Sequence, residues 1–281
     1  MLERSSPSSP FVASLSTRIE RHASAYLDSV VNFLDRPPAV TEQRLLDSFA
    51  THVENVLASY EPPGLRRTGD DLIFGHLYAM AVYGSATELR SETLEPLLAA
   101  LLAAEVEFRG PLRLSRTQTS QLAEIYERLG GRLASVGLPG HAALAFQRAK
   151  YLYRVDEDRR AEDRCGLALA RARRRATASM VRRFGHLATD LLCGYGYRPF
   201  RLLWWIALQV LACAVAVLLV SDLAMGTVLQ QVLINYLNPL GPRETADLSG
   251  PVRWLYLIES YVGALTSAVF FALLVRRWFR I

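Results

Sequence analysis

Apolar residues in the first 175 positions recur every three or four residues, which is the spacing of one face of an α-helix. From 41 to 60 this pattern follows the N-cap candidate Thr41 and ends at the helix breakers Pro62, Pro63 and Gly64. No run alternates as a half-buried strand would. We therefore predict an all-α fold of stacked helical hairpins, with further helices over about 70–88, 91–108, 117–136, 139–154 and 157–175.

Beyond residue 200 the pattern changes to continuous apolar runs. Residues 202–220 carry no charge, and as a helix they would span ~28 Å, close to the ~30 Å hydrocarbon core of a bilayer. Residues 254–275 carry only Glu259 and would span ~33 Å. Trp204, Trp205 and Trp254 lie near the ends of these runs, where aromatic belts form. We predict two transmembrane helices; the alternative is a pair of buried core helices.

The charge distribution predicts an orientation for these helices. The 281-residue chain has a net charge of +5, and every basic residue except Lys150 is an arginine. Eight arginines lie between 171 and 201 and three follow the second run, whereas the loop at 221–253 has only Arg243 and Arg253. Since cytoplasmic flanks are rich in arginine, both termini are expected in the cytoplasm, with the protein in a bacterial-type inner (plasma) membrane.

The segment at 176–200, just before the first run, has the pattern of an amphipathic juxtamembrane helix. Met180, Phe184 and Leu187 share one face, and Arg182 and Arg183 occupy the other. Such a helix would lie in the headgroup layer with its arginines on anionic lipid. A purely topological role and nucleic-acid or nucleotide binding are the alternatives, and no aromatic platform supports nucleic acid. The candidate lipid or ligand contacts are Arg171, Arg173, Arg174, Arg175, Arg182 and Arg183.

Composition and motifs argue against an enzyme. Hydrophobic residues make up 51% of the chain and charged residues 21%, which is too apolar for a disordered protein. The sequence has no GxGxxG, P-loop, GxSxG or HExxH motif. Cys165, Cys193 and Cys213 have neither a disulfide-framework nor a metal-ligand spacing. We therefore expect no catalytic residues, no metal and no cofactor.

One helical hairpin carries a repeat signature. Between 123 and 156 the order of small and large residues resembles the 34-residue tetratricopeptide repeat, although the terminal proline is absent. A second, partial match begins near Cys165, and residues 41–108 match poorly. The resemblance implies a protein-binding or peptide-binding helical domain; a generic helical hairpin is the alternative. The expected packing residues include Leu129, Gly130, Ala142, Phe146 and Ala149.

The region after residue 190 resembles the pore module of two-transmembrane potassium channels. Residues 224–237 are uncharged and too short to cross a membrane, which suggests a re-entrant half-helix between the two spans. The second span, with Glu259-Ser-Tyr-Val-Gly263, looks like the inner helix of bacterial channels of that family. The family's Thr-Val-Gly-Tyr-Gly filter is absent, so potassium selectivity is not expected. The resemblance makes these pore or loop candidates: Asn235, Asn238, Gly241, Glu259, Gly263 and Ser267.

The sequence thus predicts a tail at 1–12, a cytosolic helical domain at 13–175, the juxtamembrane helix and a two-pass module at 201–281. Two functions fit this organisation. The first is an oligomeric channel-like effector, a tetramer by the family analogy, gated by its cytosolic domain through a protein partner or small signalling ligand and suited to stress or phage defence. The second is a membrane-tethered adaptor that binds a protein partner without conducting ions.

Overall fold

The computed structural model describes residues 10–35, 42–60, 70–83, 90–177, 200–221, 224–237 and 250–279. Within these ranges the regular secondary structure is entirely α-helical, as the sequence predicts. The chain divides into two compact units, residues 1–183 and residues 184–281.

The first unit has seven described helices, and α4 lies at its centre. This helix packs against α1, α2, α3 and α5, and each residue from 97 to 104 is at most 4% exposed. A helix that is apolar around its whole circumference is stable only when other helices cover it. The seven helices are α1 (Pro10–Asp35), α2 (Gln43–Ala58), α3 (Gly75–Tyr83), α4 (Arg90–Arg109), α5 (Arg116–Val136), α6 (Pro139–Val155) and α7 (Arg159–Ala176).

Short turns join α5, α6 and α7, which pack side by side. Ser115 and Gln118 begin α5 with a capping box, and Gly137 ends it in the left-handed conformation at φ 96°. Asp158 caps α7 by accepting hydrogen bonds from the N–H groups of Arg160 and Ala161. These local signals set the helix ends, and the short connections favour antiparallel neighbours.

Two boundaries differ from the prediction, and one predicted segment cannot be compared. Helix α1 begins at Pro10, so the last three residues assigned to the tail are helical. The helix predicted from residue 70 begins only at Gly75. Side chains from other helices form hydrogen bonds with the backbone groups just before it: Gln118 donates to the carbonyl of Asp71, and Glu107 accepts the N–H of Ile73. The juxtamembrane segment from 178 to 199 lies outside the described residues.

The second unit contains the three helices α8 (Arg201–Val220), α9 (Met225–Leu237) and α10 (Gly250–Phe279), and each packs against the other two. Two of these helices, α8 and the 250–275 part of α10, are long and apolar enough to cross a membrane. At 13 residues, α9 is about 20 Å long and therefore shorter than a bilayer core. A small core joins the three helices through Ala214, Val217, Val228, Val232, Val252 and Tyr256.

Candidate functional site

The candidate site is a set of polar side chains between α9 and α10. On α9, Val228 and Val232 are fully buried, and Asn235 follows on the same face at 1% exposure. A helix buries positions i, i+4 and i+7 together, so this amide points into the second unit as the two valines do. An amide placed in an apolar interface is costly unless it is hydrogen-bonded.

Asn235 connects α9 to α10 through two hydrogen bonds. Its Nδ2 donates to Oε2 of Glu259 at 2.8 Å and to the backbone carbonyl of Tyr256 at 3.0 Å. Glu259 is 4% exposed, and the thiol of Cys213 on α8 lies beside its carboxyl group. The other carboxyl oxygen, Oε1, is buried and has no hydrogen-bond partner among the described residues. The amide therefore binds one oxygen of a carboxyl group that is almost fully buried.

A second polar layer joins the same helices one turn earlier. The ring of Tyr256 is 1% exposed, and its hydroxyl donates to Oε1 of Gln231 at 3.1 Å. Gln231 lies four residues before Asn235, so one face of α9 presents two amides to one face of α10.

A third polar layer lies further along α10. The hydroxyl of Tyr236 hydrogen-bonds with Ser267 Oγ at 3.0 Å and makes a longer contact of 3.5 Å with Thr266 Oγ1. Gln209 of α8 reaches the same threonine at 3.5 Å. At Gly263 an added Cβ would lie 2.9 Å from the ring of Tyr236, so glycine permits the close approach of this ring to α10.

Four of the six pore or loop candidates are therefore brought to one interface: Asn235, Glu259, Gly263 and Ser267. The other two, Asn238 and Gly241, lie outside the described residues. Among the described residues, the side chain of Asn235 is a hydrogen-bond donor to Glu259. The sequence did not point to Gln209, Gln231 or Tyr236, and the only signal for them is that polar side chains recur along otherwise apolar helices.

The expected repeat-packing residues are all buried in the first unit. Leu129, Ala142 and Ala149 are fully inaccessible, and Phe146 is 7% exposed. The ring of Phe146 lies against Gly130, where an added Cβ would be 2.9 Å from it. These residues join α5 to α6 by apolar packing.

A partly buried ion pair joins α4 to α6 beside this packing. Arg148 binds Glu105 through both carboxyl oxygens, at 2.9 and 3.0 Å, and its guanidinium lies 4.5 Å from the ring centre of Phe108. Tyr126 donates to the same carboxylate at 3.0 Å. Burial and the nearby negative charge of Glu105 raise the pKa of Tyr126 well above its usual value, so the phenol stays neutral and acts as a donor.

Helix α6 receives its N-terminal cap from a distant residue. Glu42, at the start of α2, accepts the N–H of Gly140 at 2.6 Å and the N–H of His141 at 3.0 Å. An added Cβ on Gly140 would lie 2.7 Å from the Glu42 carboxyl carbon, which explains the glycine. The same carboxylate binds His141 Nδ1 at 2.7 Å, and His141 Nε2 contacts the Tyr26 hydroxyl at 2.7 Å.

The order carboxylate, imidazole, hydroxyl is also that of a hydrolase triad. Here Tyr26 and His141 are fully buried, so no substrate can reach the hydroxyl. Tyr26 donates its only hydroxyl proton to the carbonyl of Leu45 at 2.8 Å, and burial raises its pKa far above the usual value. The cluster therefore joins α1, α2 and α6 as a structural network.

Of the candidate lipid or ligand contacts, four lie in the last turns of α7: Arg171, Arg173, Arg174 and Arg175. Arg173 and Arg175 are exposed, and Arg173 donates to Gln147 at 2.9 Å. Cations at a helix C-terminus interact favourably with the helix dipole. The remaining two, Arg182 and Arg183, lie outside the described residues.

Comparison with protein-family models, with curated proteins and with solved structures finds no match to this chain.

Proposed function

We propose that this protein is a channel-like membrane effector. In this proposal α8 and α10 cross the membrane, α9 enters it as a re-entrant half-helix, and the first unit is a cytosolic sensor with tetratricopeptide-like packing. Subunits assemble around an axis, with a tetramer favoured by the potassium-channel resemblance. The pore does not select potassium, since the family's filter motif is absent.

The observation that carries the proposal is the buried Asn235–Glu259 pair. A carboxyl group inside a membrane-spanning helix is costly, and such residues generally serve ion pathways or their support. Glu259 is bound to a helix too short to cross a bilayer, and that helix packs on both spanning candidates. This is the arrangement expected where a half-helix must be fixed behind a pore.

The outer surface of the second unit supports a membrane location. Large apolar side chains are exposed along both long helices, including Trp204 at 80%, Leu219 at 82% and Trp278 at 77%. An apolar surface of this extent is stable against lipid or other subunits, not against water. Membrane lipid and further copies of the chain are therefore the proposed partners of this unit.

The test is ion flux by the purified full chain in liposomes, after its oligomeric state has been sized in detergent. We expect an oligomer whose flux changes several-fold in Glu259→Gln, which keeps the size and hydrogen bonding of the side chain and removes its charge. Tyr261→Phe is the matched control, because Tyr261 is on the same helix and 72% exposed. Parent-like flux in Glu259→Gln at equal reconstituted protein contradicts the role of Glu259.

A membrane-tethered adaptor is the second candidate, and the hairpins of α5, α6 and α7 favour it. These helices pack side by side, as in repeat domains that bind peptides. A monomer in detergent that conducts no ions would overturn the channel proposal and leave the adaptor.

A further inference from the structure

Three of the chain's five histidines surround Tyr26 in the first unit. His22 on α1 and His52 on α2 face each other with their Nδ1 atoms 3.0 Å apart. The ring of His52 lies 5.5 Å from that of Tyr26, and the ring of His141 lies 5.9 Å from it on α6. The cluster is thus placed where the two N-terminal helices meet the repeat-like hairpin.

The bond between two Nδ1 atoms depends on protonation. In the neutral pair, one Nδ1–H donates to the lone pair of the other ring. After one proton is added, the charged ring still donates to the neutral one. After a second proton is added, two N–H groups and two positive charges face each other at 3.0 Å. The contact between α1 and α2 is then repulsive.

The charged side chains around the partly buried pair do little to offset positive charge. On α1, Arg18 lies one turn before His22 and has the same sign. From α6, His141 already donates to Glu42, and Tyr26 stands between them and the pair. On α2 itself, Glu54 pairs with Arg109 at the end of α4 at 3.7 Å.

The buried carboxylates of α4, which packs on both α1 and α2, have partners of their own. Glu105 is bound by Arg148, and Glu107 accepts hydrogen bonds from Tyr78 and the N–H of Ile73. Burial, followed by the neighbouring His22, lowers the pKa of His52. A lowered histidine pKa means that the unfolded chain takes up the proton first, so stability falls as pH drops below about 6.5.

We propose that the His22–His52 pair is an acid-sensitive clasp between α1 and α2. It is closed at neutral pH and opens when both rings are protonated, while the α4 contacts keep α1 in place. The clasp is independent of the proposed channel activity, because it requires only the fold of the first unit.

Hydrogen exchange of the full chain in detergent tests the clasp at pH 7.5 and pH 5.5, with exposure times scaled for the intrinsic exchange rate. We expect peptides around His22 and His52 to exchange several-fold faster at pH 5.5 than at pH 7.5 after scaling, because protonation weakens the contact between α1 and α2. Peptides of α5 and α6 should not change. Equal scaled exchange at the two pH values overturns the proposal.

The variant His22→Asn tests whether the His22–His52 pair causes the acid response. The Asn Nδ2 takes the position of the histidine Nδ1 and can still donate to His52, but it does not titrate. This variant should lose most of the acid response, whereas His76→Gln, at an exposed histidine of α3, should keep it. A parent-like acid response in His22→Asn contradicts the clasp. If that variant folds poorly, an NMR titration of His52 in the parent protein tests the proposal instead. An ordinary or raised pKa of His52 would contradict it.

Discussion

Two adjacent glycines on α5, Gly130 and Gly131, differ in how closely other residues pack against them. Gly130 is buried against the ring of Phe146, where an added Cβ would be 2.9 Å away. Gly131 is exposed, and an added Cβ would meet nothing within 4 Å. The first glycine permits a close helix crossing, and the second only adds backbone freedom to the unfolded chain.

Alanine at these two positions should have opposite effects. Gly131→Ala should stabilise α5 by about 0.5–1 kcal/mol, the usual gain in a helix interior. Gly130→Ala should destabilise it by about 1–3 kcal/mol, because the ring of Phe146 must move. Native-state hydrogen exchange of α5 and α6 in the full chain measures both changes. Stabilisation by Gly130→Ala would show that the crossing is loose and would argue against repeat-like packing.

At the scale of residues, the sequence shows which polar side chains are unusual better than it shows which residues they hydrogen-bond with. Glu259 stands out because it is the only charged residue of the 254–275 run, and Asn235 is one of several polar residues in the uncharged 224–237 segment. Their pairing across 24 positions depends on the register of α9 against α10, which periodicity does not contain. The cap of α6 by Glu42 is similar, since the residues are 98 positions apart and the local N-cap, Leu138, has no side-chain acceptor.

At the scale of elements, most helices of the first unit follow from apolar spacing and breakers. The predicted segments at 117–136 and 139–154 correspond to α5 and α6 within a residue at each end. The prediction is less accurate where side chains compete for backbone groups, as at the start of α3. A single sequence shows the tendency to form a helix but not this tertiary competition.

The turn between α6 and α7 contains a strained residue. Glu157 has φ 63°, the left-handed region that favours glycine. It is held there by a helix-ending motif in which the N–H of Asp158 bonds to the carbonyl of Tyr153 at 3.0 Å.

Glu157→Gly should therefore stabilise the α6–α7 hairpin by about 1 kcal/mol, since glycine adopts this conformation without steric cost. Glu157→Ala is the matched control: it removes the charge and keeps the strain, so its effect should be close to zero. Hydrogen exchange of α6 and α7 in the full chain measures the difference. Equal effects of Gly and Ala would contradict the strain.

At the scale of the whole molecule, the two units differ in whether their large apolar side chains are buried or exposed. The first unit buries its large residues around α4, whereas the second exposes tryptophan, leucine and phenylalanine along two long helices. The sequence predicts this division because an uncharged run of about 20 residues differs in length and composition from an amphipathic helix. Arginine counts predict which flank faces the cytoplasm, by the positive-inside rule.

Topology reporters test this organisation in the full chain. Fusions after Thr177 and after Ile281 should both be cytoplasmic, and an insertion near Asp247 should be external, because eleven arginines flank the spans and two lie in the loop (8 + 3 against 2). Two crossings place Thr177 and Ile281 on one side in either orientation, so those two fusions test whether the number of crossings is even. The Asp247 reporter tests the direction. All three reporters on the cytoplasmic side would mean that α8 and α10 do not cross, and an exact reversal would mean that arginine does not set the orientation.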